Sequence, residues 1–195
     1  LLASSIAMVA SGAASAQSTA RNVALEEIIV TAQKREQNLQ NVPIAVTALN
    51  TETLNMFRVT NTEDLSNLAP NLNVQNQGRG TVPQINIRGV ASGVSAAEVD
   101  PKIATYLDGV YIGRTIGSIF DMADIERVEV LRGPQGTLFG RNATGGAISI
   151  TTAAPTGEFG LSQYVSMGNF NAQRFRTILN LPSVGPLSVK LSYLY

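Results

Sequence analysis

The chain has no cysteine, no histidine and no tryptophan. Without thiols there are no disulfides, no thiol nucleophile and no thiolate metal site. Without imidazoles there is neither histidine ligation nor histidine general-base catalysis. Charge is scarce too: 14% of residues are Asp, Glu, Lys or Arg, below the roughly 25% of soluble domains. The 14 basic residues are balanced by 14 acidic ones, so no electrostatic footprint for nucleic acid exists. Carboxylate, serine, lysine or tyrosine chemistry remains, but no pairing of such residues stands out. No catalytic residue, metal ligand or cofactor is expected.

What is present is concentrated in residues 125–152, IERVEVLRGPQGTLFGRNATGGAISITT. Val128 and Val130 alternate with Arg127, Glu129 and Leu131, the two-residue period of a strand with two different faces. Arg127 and Glu129 share a face and can pair; Glu126 and Arg132 lie on the other. Gly133-Pro134-Gln135-Gly136 predicts a turn, type I rather than type II because Gln135 resists a positive φ. Gly140, Gly145 and Gly146 permit close backbone passage or left-handed angles. Residues 147–152 alternate again as a return strand. Gly140 and Gly145 have the spacing of a phosphate loop, yet Gly146 and Ala147 stand where lysine and a hydroxyl should follow, and a strand comes next instead of a helix. A phosphate loop is therefore rejected. A glycine-rich hairpin of some all-β domain stays open on this stretch alone.

The N-terminal end adds context. Residues 1–16 are uncharged, mostly apolar and small, and close on Ala14-Ser15-Ala16. This reads as the apolar core and cleavage site of a secretory signal whose basic start is cut off. It is too short and too rich in Ser and Gly for a spanning helix, which needs about 20 apolar residues. A polar leader follows (residues 17–41), interrupted by the β-branched run Glu26-Glu27-Ile28-Ile29-Val30-Thr31-Ala32. By pattern such a run is an edge strand. On a mobile leader it can also add to the sheet edge of a partner.

Further along, residues 42–49, VPIAVTAL, predict a first strand with Pro43 near its start. Thr51 is expected to cap a short helix to about Phe57, and Thr62 a second over residues 63–69, ended by Pro70. Residues 85–90 alternate, and Asp108-Gly109 inside IATYLDGVYI is a strong hairpin signal. Three alternating segments close the chain: residues 159–167, 174–181 and 187–195. In the third, Leu187, Val189, Leu191, Tyr193 and Tyr195 face one way, and Ser188, Lys190, Ser192 and Leu194 the other. The period suits transmembrane barrel strands, though a soluble sandwich would alternate similarly.

The elements INIRG, YLDGVYIG and ERVEVLRGPQGTLFGRNATGGAISI, in this order behind the β-branched run, resemble the plug domain of a TonB-dependent outer-membrane receptor. The resemblance covers nearly all of residues 26–152. It implies an α+β plug of mixed short strands and small helices, followed by the start of a transmembrane antiparallel β-barrel of about 22 strands when complete. It divides the chain into a truncated signal peptide (1–16), a periplasmic leader with a TonB box at 26–32 (17–41), a plug (42–152) and the first three barrel strands (153–195). Three strands cannot close in lipid, so the chain reads as a piece of a longer protein.

The resemblance further implies TonB-dependent import of a scarce solute, such as a ferric siderophore or similar chelate, with carbohydrate or another nutrient possible. The plug would gate the barrel. A passive porin or structural outer-membrane protein is the alternative. TonB would bind Glu26, Glu27, Ile28, Ile29, Val30, Thr31 and Ala32. Glu126, Arg127, Glu129, Arg132 and Arg141 would pair with the barrel wall, where unpaired charge is costly. Arg79, Gly80, Ser92 and Arg114 lie on loops that are either solute contacts or merely solvated turns. The expected partners are TonB with its motor complex, outer-membrane lipid and a small solute, with no nucleic acid, for a monomer in the outer membrane of a Gram-negative bacterium. The short leader implies a transporter without an extra signalling domain.

Overall fold

The computed structural model describes residues 28–31, 34, 35, 37–77, 82–92, 100–113 and 124–195. The signal-like segment, Glu26, Glu27, Ala32, Arg79, Gly80 and Arg114 lie outside the described residues. In chain order the strands are β1 (Ile29–Val30), β2 (Gln37–Asn38), β3 (Ala45–Asn50), β4 (Leu72–Gln77), β5 (Val82–Ile87), β6 (Val90–Ala91) and β7 (Ile103–Leu107). After these come β8 (Val110–Ile112), β9 (Ile125–Arg132), β10 (Gly146–Thr152), β11 (Gly160–Met167), β12 (Gln173–Asn180) and β13 (Lys190–Leu194). Two short helices, α1 (Thr51–Met56) and α2 (Gly136–Phe139), interrupt them.

Five strands form a mixed sheet in the order β3-β9-β10-β7-β8. Its spine is the expected hairpin: β9 and β10 are antiparallel, with Val130 opposite Ile148 and Glu129 opposite Ser149. Side-chain alternation sends Leu49, Val128, Val130, Ile148 and Ile150 to one face, where they pack on Leu54 of α1, Leu65, and Leu72, Val74, Ile85 and Ile87 of the small sheet β4-β5-β6. Leu131, Ala147, Ala104 and Tyr106 go to the other face and meet Val30, Phe139 and Ala143. Both faces are thus covered. β9 is an interior strand, buried from Val128 to Leu131 although charged residues lie on both of its faces.

Gly146 is fixed by this arrangement. It opens β10 with φ +151°, and a Cβ there would lie 2.3 Å from the Leu131 carbonyl oxygen. The turn ahead of it keeps Gln135 at φ −125°, the negative angle that the type I expectation requires. The short helix α2 after it was not foreseen.

Both helix starts shift by one residue from expectation. Asn50, not Thr51, caps α1 by accepting from the Thr53 N–H at 2.9 Å. Thr51 instead donates to the carbonyls of Ile125 and Glu126 at 3.1 and 2.9 Å, stapling α1 to β9. Asn61, not Thr62, caps the next element, accepting from Glu63 N and Asp64 N while Asp64 Oδ2 accepts from Asn61 N. That capping box starts a 3-10 turn, Thr62–Asn67, instead of a helix through residue 69. Asparagine wins because its longer side chain reaches the orphan N–H groups. The first strand begins at Ala45 and not at Val42. Asp108-Gly109 makes the expected hairpin, with φ of 49° and 80° at the two turn residues, as a type I′ turn demands.

The last three strands form a separate antiparallel meander, β11-β12-β13. Its register places Leu161, Leu179 and Leu191 in one row and Val165 beside Phe175 in another. Leu161, Val165, Leu191 and Tyr193 are exposed on that face, an apolar surface with nothing packed on it among the described residues.

Candidate functional site

Of the β-branched run, Ile28 to Thr31 are described, and they lie on the second face of the central sheet. β1 pairs antiparallel with β2, Ile29 opposite Asn38 and Val30 opposite Gln37. Leu39 N donates to Ile28 O at 2.9 Å and Lys34 N to Thr31 O at 2.7 Å, closing a small hairpin. Alternation sends Val30 inward, where it is fully buried, and leaves Ile29 half exposed. The floor under it is made of small residues, Ala104, Ala147 and Ala143, beside Leu131 and Phe139. Small side chains are what allow a second layer of backbone to approach a sheet this closely.

Glu129 rises from that floor and is 0% exposed. Its neighbours in register are Ala48 on β3 and Ser149 on β10. Glu129 Oε1 accepts from the Thr31 N–H at 2.7 Å, from Thr31 Oγ1 at 3.0 Å and from Arg127 Nε at 3.1 Å. Arg127 also reaches Glu126 Oε1 at 2.5 Å. Glu129 Oε2 has no hydrogen-bond partner among the described residues. Lys34 Nζ sits 5.6 Å from the ring centres of both Tyr106 and Phe139, a cation–π placement that holds the far arm of the hairpin down. Tyr106 donates to the Phe139 carbonyl at 2.7 Å. Burial, with Tyr111 adding to it, pushes the Tyr106 phenol above its ordinary value. The neutral phenol is therefore favoured in the folded state; its contribution is complete below about pH 10 and is lost only as pH rises beyond the raised value.

Sequence reasoning placed five charged residues on the surface facing a barrel. The structure gathers three of them, Glu126, Arg127 and Glu129, into one ion-paired cluster. Arg141 pairs with Asp100 at 3.1 Å in an exposed contact. Arg132 Nε is buried and has no partner among the described residues. Ser92 is 1% exposed, so its hydroxyl is not presented to solvent as a loop contact would be. Asp124 was missed. It accepts from Lys190 and, at 3.0 Å, from Ser192 Oγ, joining the start of β9 to β13. Nothing local marks it, because its partners lie more than sixty residues on.

A family model described as the TonB-dependent receptor plug domain matches residues 38–147, more than half of the chain. The chain belongs to that family. The plug and its meander are 32% identical over 167 residues to the pesticin receptor of Yersinia pestis, covering 85% of this chain and 24% of that protein. They are 28% identical over 152 residues to the hemin receptor of Yersinia enterocolitica, covering 76% of this chain and 21% of that one. The crystal structure of the ferric yersiniabactin uptake receptor of Yersinia pestis superimposes with a TM-score of 0.61 at 32% identity, over 71% of this chain and 22% of that chain. The chain thus spans about a quarter of the length of the curated relatives it matches.

Between β9 and the meander, the Asp124–Lys190 pair is mostly buried, at 16% and 11% side-chain exposure. Replacing Asp124 by Ala in a full-length receptor strips Lys190 of its counter-ion. It should weaken the plug–meander seam by about 1–3 kcal/mol, with the Ala153 carbonyl still accepting from Lys190. Limited proteolysis at the start of β9 reads this as faster cutting; an unchanged cutting rate would show that the pair does not hold the seam.

Proposed function

We propose that the full-length protein imports a ferric chelate across the outer membrane, with TonB as the energy-coupling partner. The observation that carries this reading is the seat of Ile28 to Thr31: a β-branched strand held on the plug by a two-residue pairing, with one backbone edge turned away from that pairing. Such a segment can be lifted and added to a partner's sheet edge. TonB engages residues 26–32 from the periplasm, and the pull is transmitted to β9 because Thr31 is bonded to Glu129. The relatives named for pesticin, hemin and ferric yersiniabactin favour an iron chelate as cargo.

Around this core the remaining roles follow. The apolar face of the meander, with Leu161, Leu191 and Tyr193 exposed, suits contact with outer-membrane lipid as the first strands of a barrel. Arg132, with a buried Nε in want of an acceptor, and Arg141 pair with acidic groups of the barrel wall. Arg79, Gly80 and Arg114 contact solute on the outer side. The protein works as a monomer and makes or breaks no bond in its cargo.

The test is uptake of a radiolabelled ferric siderophore by cells making the full-length receptor, with and without TonB. Uptake should vanish without TonB while surface binding of the chelate persists. Equal uptake in both strains would leave a passive pore as the better account.

A further inference from the structure

β1 has two backbone edges, and only one is used by β2. Ile28 O accepts from Leu39 N on the hairpin side. By strand alternation Val30 turns its backbone groups the same way, so the Ile29 groups and the Thr31 N–H turn to the opposite edge, which no strand pairs among the described residues, while the Thr31 carbonyl accepts from Lys34 N in the turn. That edge is the one a partner strand would add to. Its Thr31 N–H is already taken: Glu129 reaches up from β9 and accepts it at 2.7 Å, with the Thr31 hydroxyl at 3.0 Å on the same oxygen.

We infer that Glu129 is an edge guard, a carboxylate that closes the open side of the partner-binding strand until the partner's own carbonyl replaces it. The inference rests on the reading that residues 26–32 bind TonB by strand addition. Three observations converge on it. Glu129 is the one acidic side chain fully buried among the described residues, and a carboxylate is retained there only if donors come to it. Its flanking positions in register are Ala48 and Ser149, small enough for the leader backbone to descend onto it. Arg127, bonded to both Glu126 and Glu129, holds the carboxylate in place and remains its donor when Thr31 leaves.

In the exchange the Thr31 N–H leaves a carboxylate oxygen for a backbone carbonyl, while Glu129 gives up both Thr31 donors and keeps Arg127. What is lost is charge assistance, because a bond to a charged acceptor is the stronger one. The guarded edge therefore resists casual pairing with any passing strand, the hazard that unpaired edges carry. It yields when a partner offers several backbone bonds at once. Val30 leaves its pocket over Leu131 and Ala147 in the same movement, which adds an apolar cost to opening.

The experiment uses the full-length receptor in detergent with a thiol reporter at Val30→Cys; this chain has no cysteine of its own, any cysteine elsewhere in the receptor is replaced by serine, and cysteine packs as a small apolar residue. Maleimide labelling without TonB reads how often the segment lifts. Glu129→Ala should raise the labelling rate at least about tenfold, and Thr31→Val, which keeps the N–H, by a few-fold. A second reporter, Val74→Cys, in the core on the other side of the sheet, should stay protected in both variants. If Glu129→Ala exposes both reporters, the plug has opened as a whole, and Thr31→Val then decides: an unchanged Val30→Cys rate overturns the edge guard. Unchanged labelling in both variants overturns it directly. Binding of the purified periplasmic part of TonB to the receptor without a thiol reporter is measured beside this. No binding to any variant would sink the TonB reading while the labelling still judges the guard.

Discussion

Gly146→Ala is expected to break the pairing of β9 with β10, because the methyl group would sit 2.3 Å from the Leu131 carbonyl oxygen. That atom is backbone in a fully buried strand and cannot swing aside. The φ of +151° is unfavourable for alanine as well. Strain and overpacking together should cost about 2–4 kcal/mol. In the full-length receptor, hydrogen exchange of the β9 and β10 amides should accelerate by about two orders of magnitude. Gly109→Ala serves as the control. It also has a positive φ, +80°, but nothing lies within 4 Å of its Cβ, so the penalty should stay near 1 kcal/mol. β9 and β10 amides that exchange within threefold of the unsubstituted rate in Gly146→Ala would show that the sheet absorbs the methyl group.

Deleting residues 26–32 should reduce uptake to the level of cells lacking TonB, with the receptor still in the outer membrane and still binding its chelate. The reason is mechanical. The segment is the strand proposed above for partner pairing, and among the described residues its ladder is a two-residue pairing with β2. The deletion also strips Val30 from its pocket, which forfeits about 1.5–3 kcal/mol of apolar burial and could loosen the plug by itself. Ile29→Pro separates the two effects. Ile29 is half exposed and its N–H lies on the edge away from β2, so proline removes a donor for the partner while Val30 stays packed. Uptake should fall in Ile29→Pro as in the deletion. Normal uptake in Ile29→Pro, with loss only in the deletion, would assign the defect to plug damage instead of lost partner pairing.

Much of the fold could be read from local chemistry. The β9-β10 hairpin announces itself through alternation around a proline–glycine turn, and Asp108-Gly109 through the positive φ that a two-residue hairpin needs. The facing of the meander also follows from its period of two: Leu179 and Leu191 share a row in register, as their spacing requires. Helix starts were legible only to within one residue. Threonine and asparagine stood side by side at 50–51 and 61–62, and which one caps depends on reach and on whether the other has a better partner. Thr51 had one, in the Ile125 and Glu126 carbonyls, which only folding brings near.

The sequence by itself determined that this is a strand-rich chain without cysteine or histidine chemistry, with a glycine-rich hairpin, a β-branched leader strand and three alternating strands behind it. Those properties are periodic or compositional, so each can be stated from neighbouring residues. Only the tertiary structure decided what the charges of β9 do. Glu129 reads as a charge facing a barrel wall until the leader folds over it and Thr31, 98 positions away, becomes its partner. Asp124 likewise means nothing until β13 brings Lys190 to it. Burial of a charge is set by which segment covers it, and no local pattern encodes a cover that arrives from elsewhere in the chain.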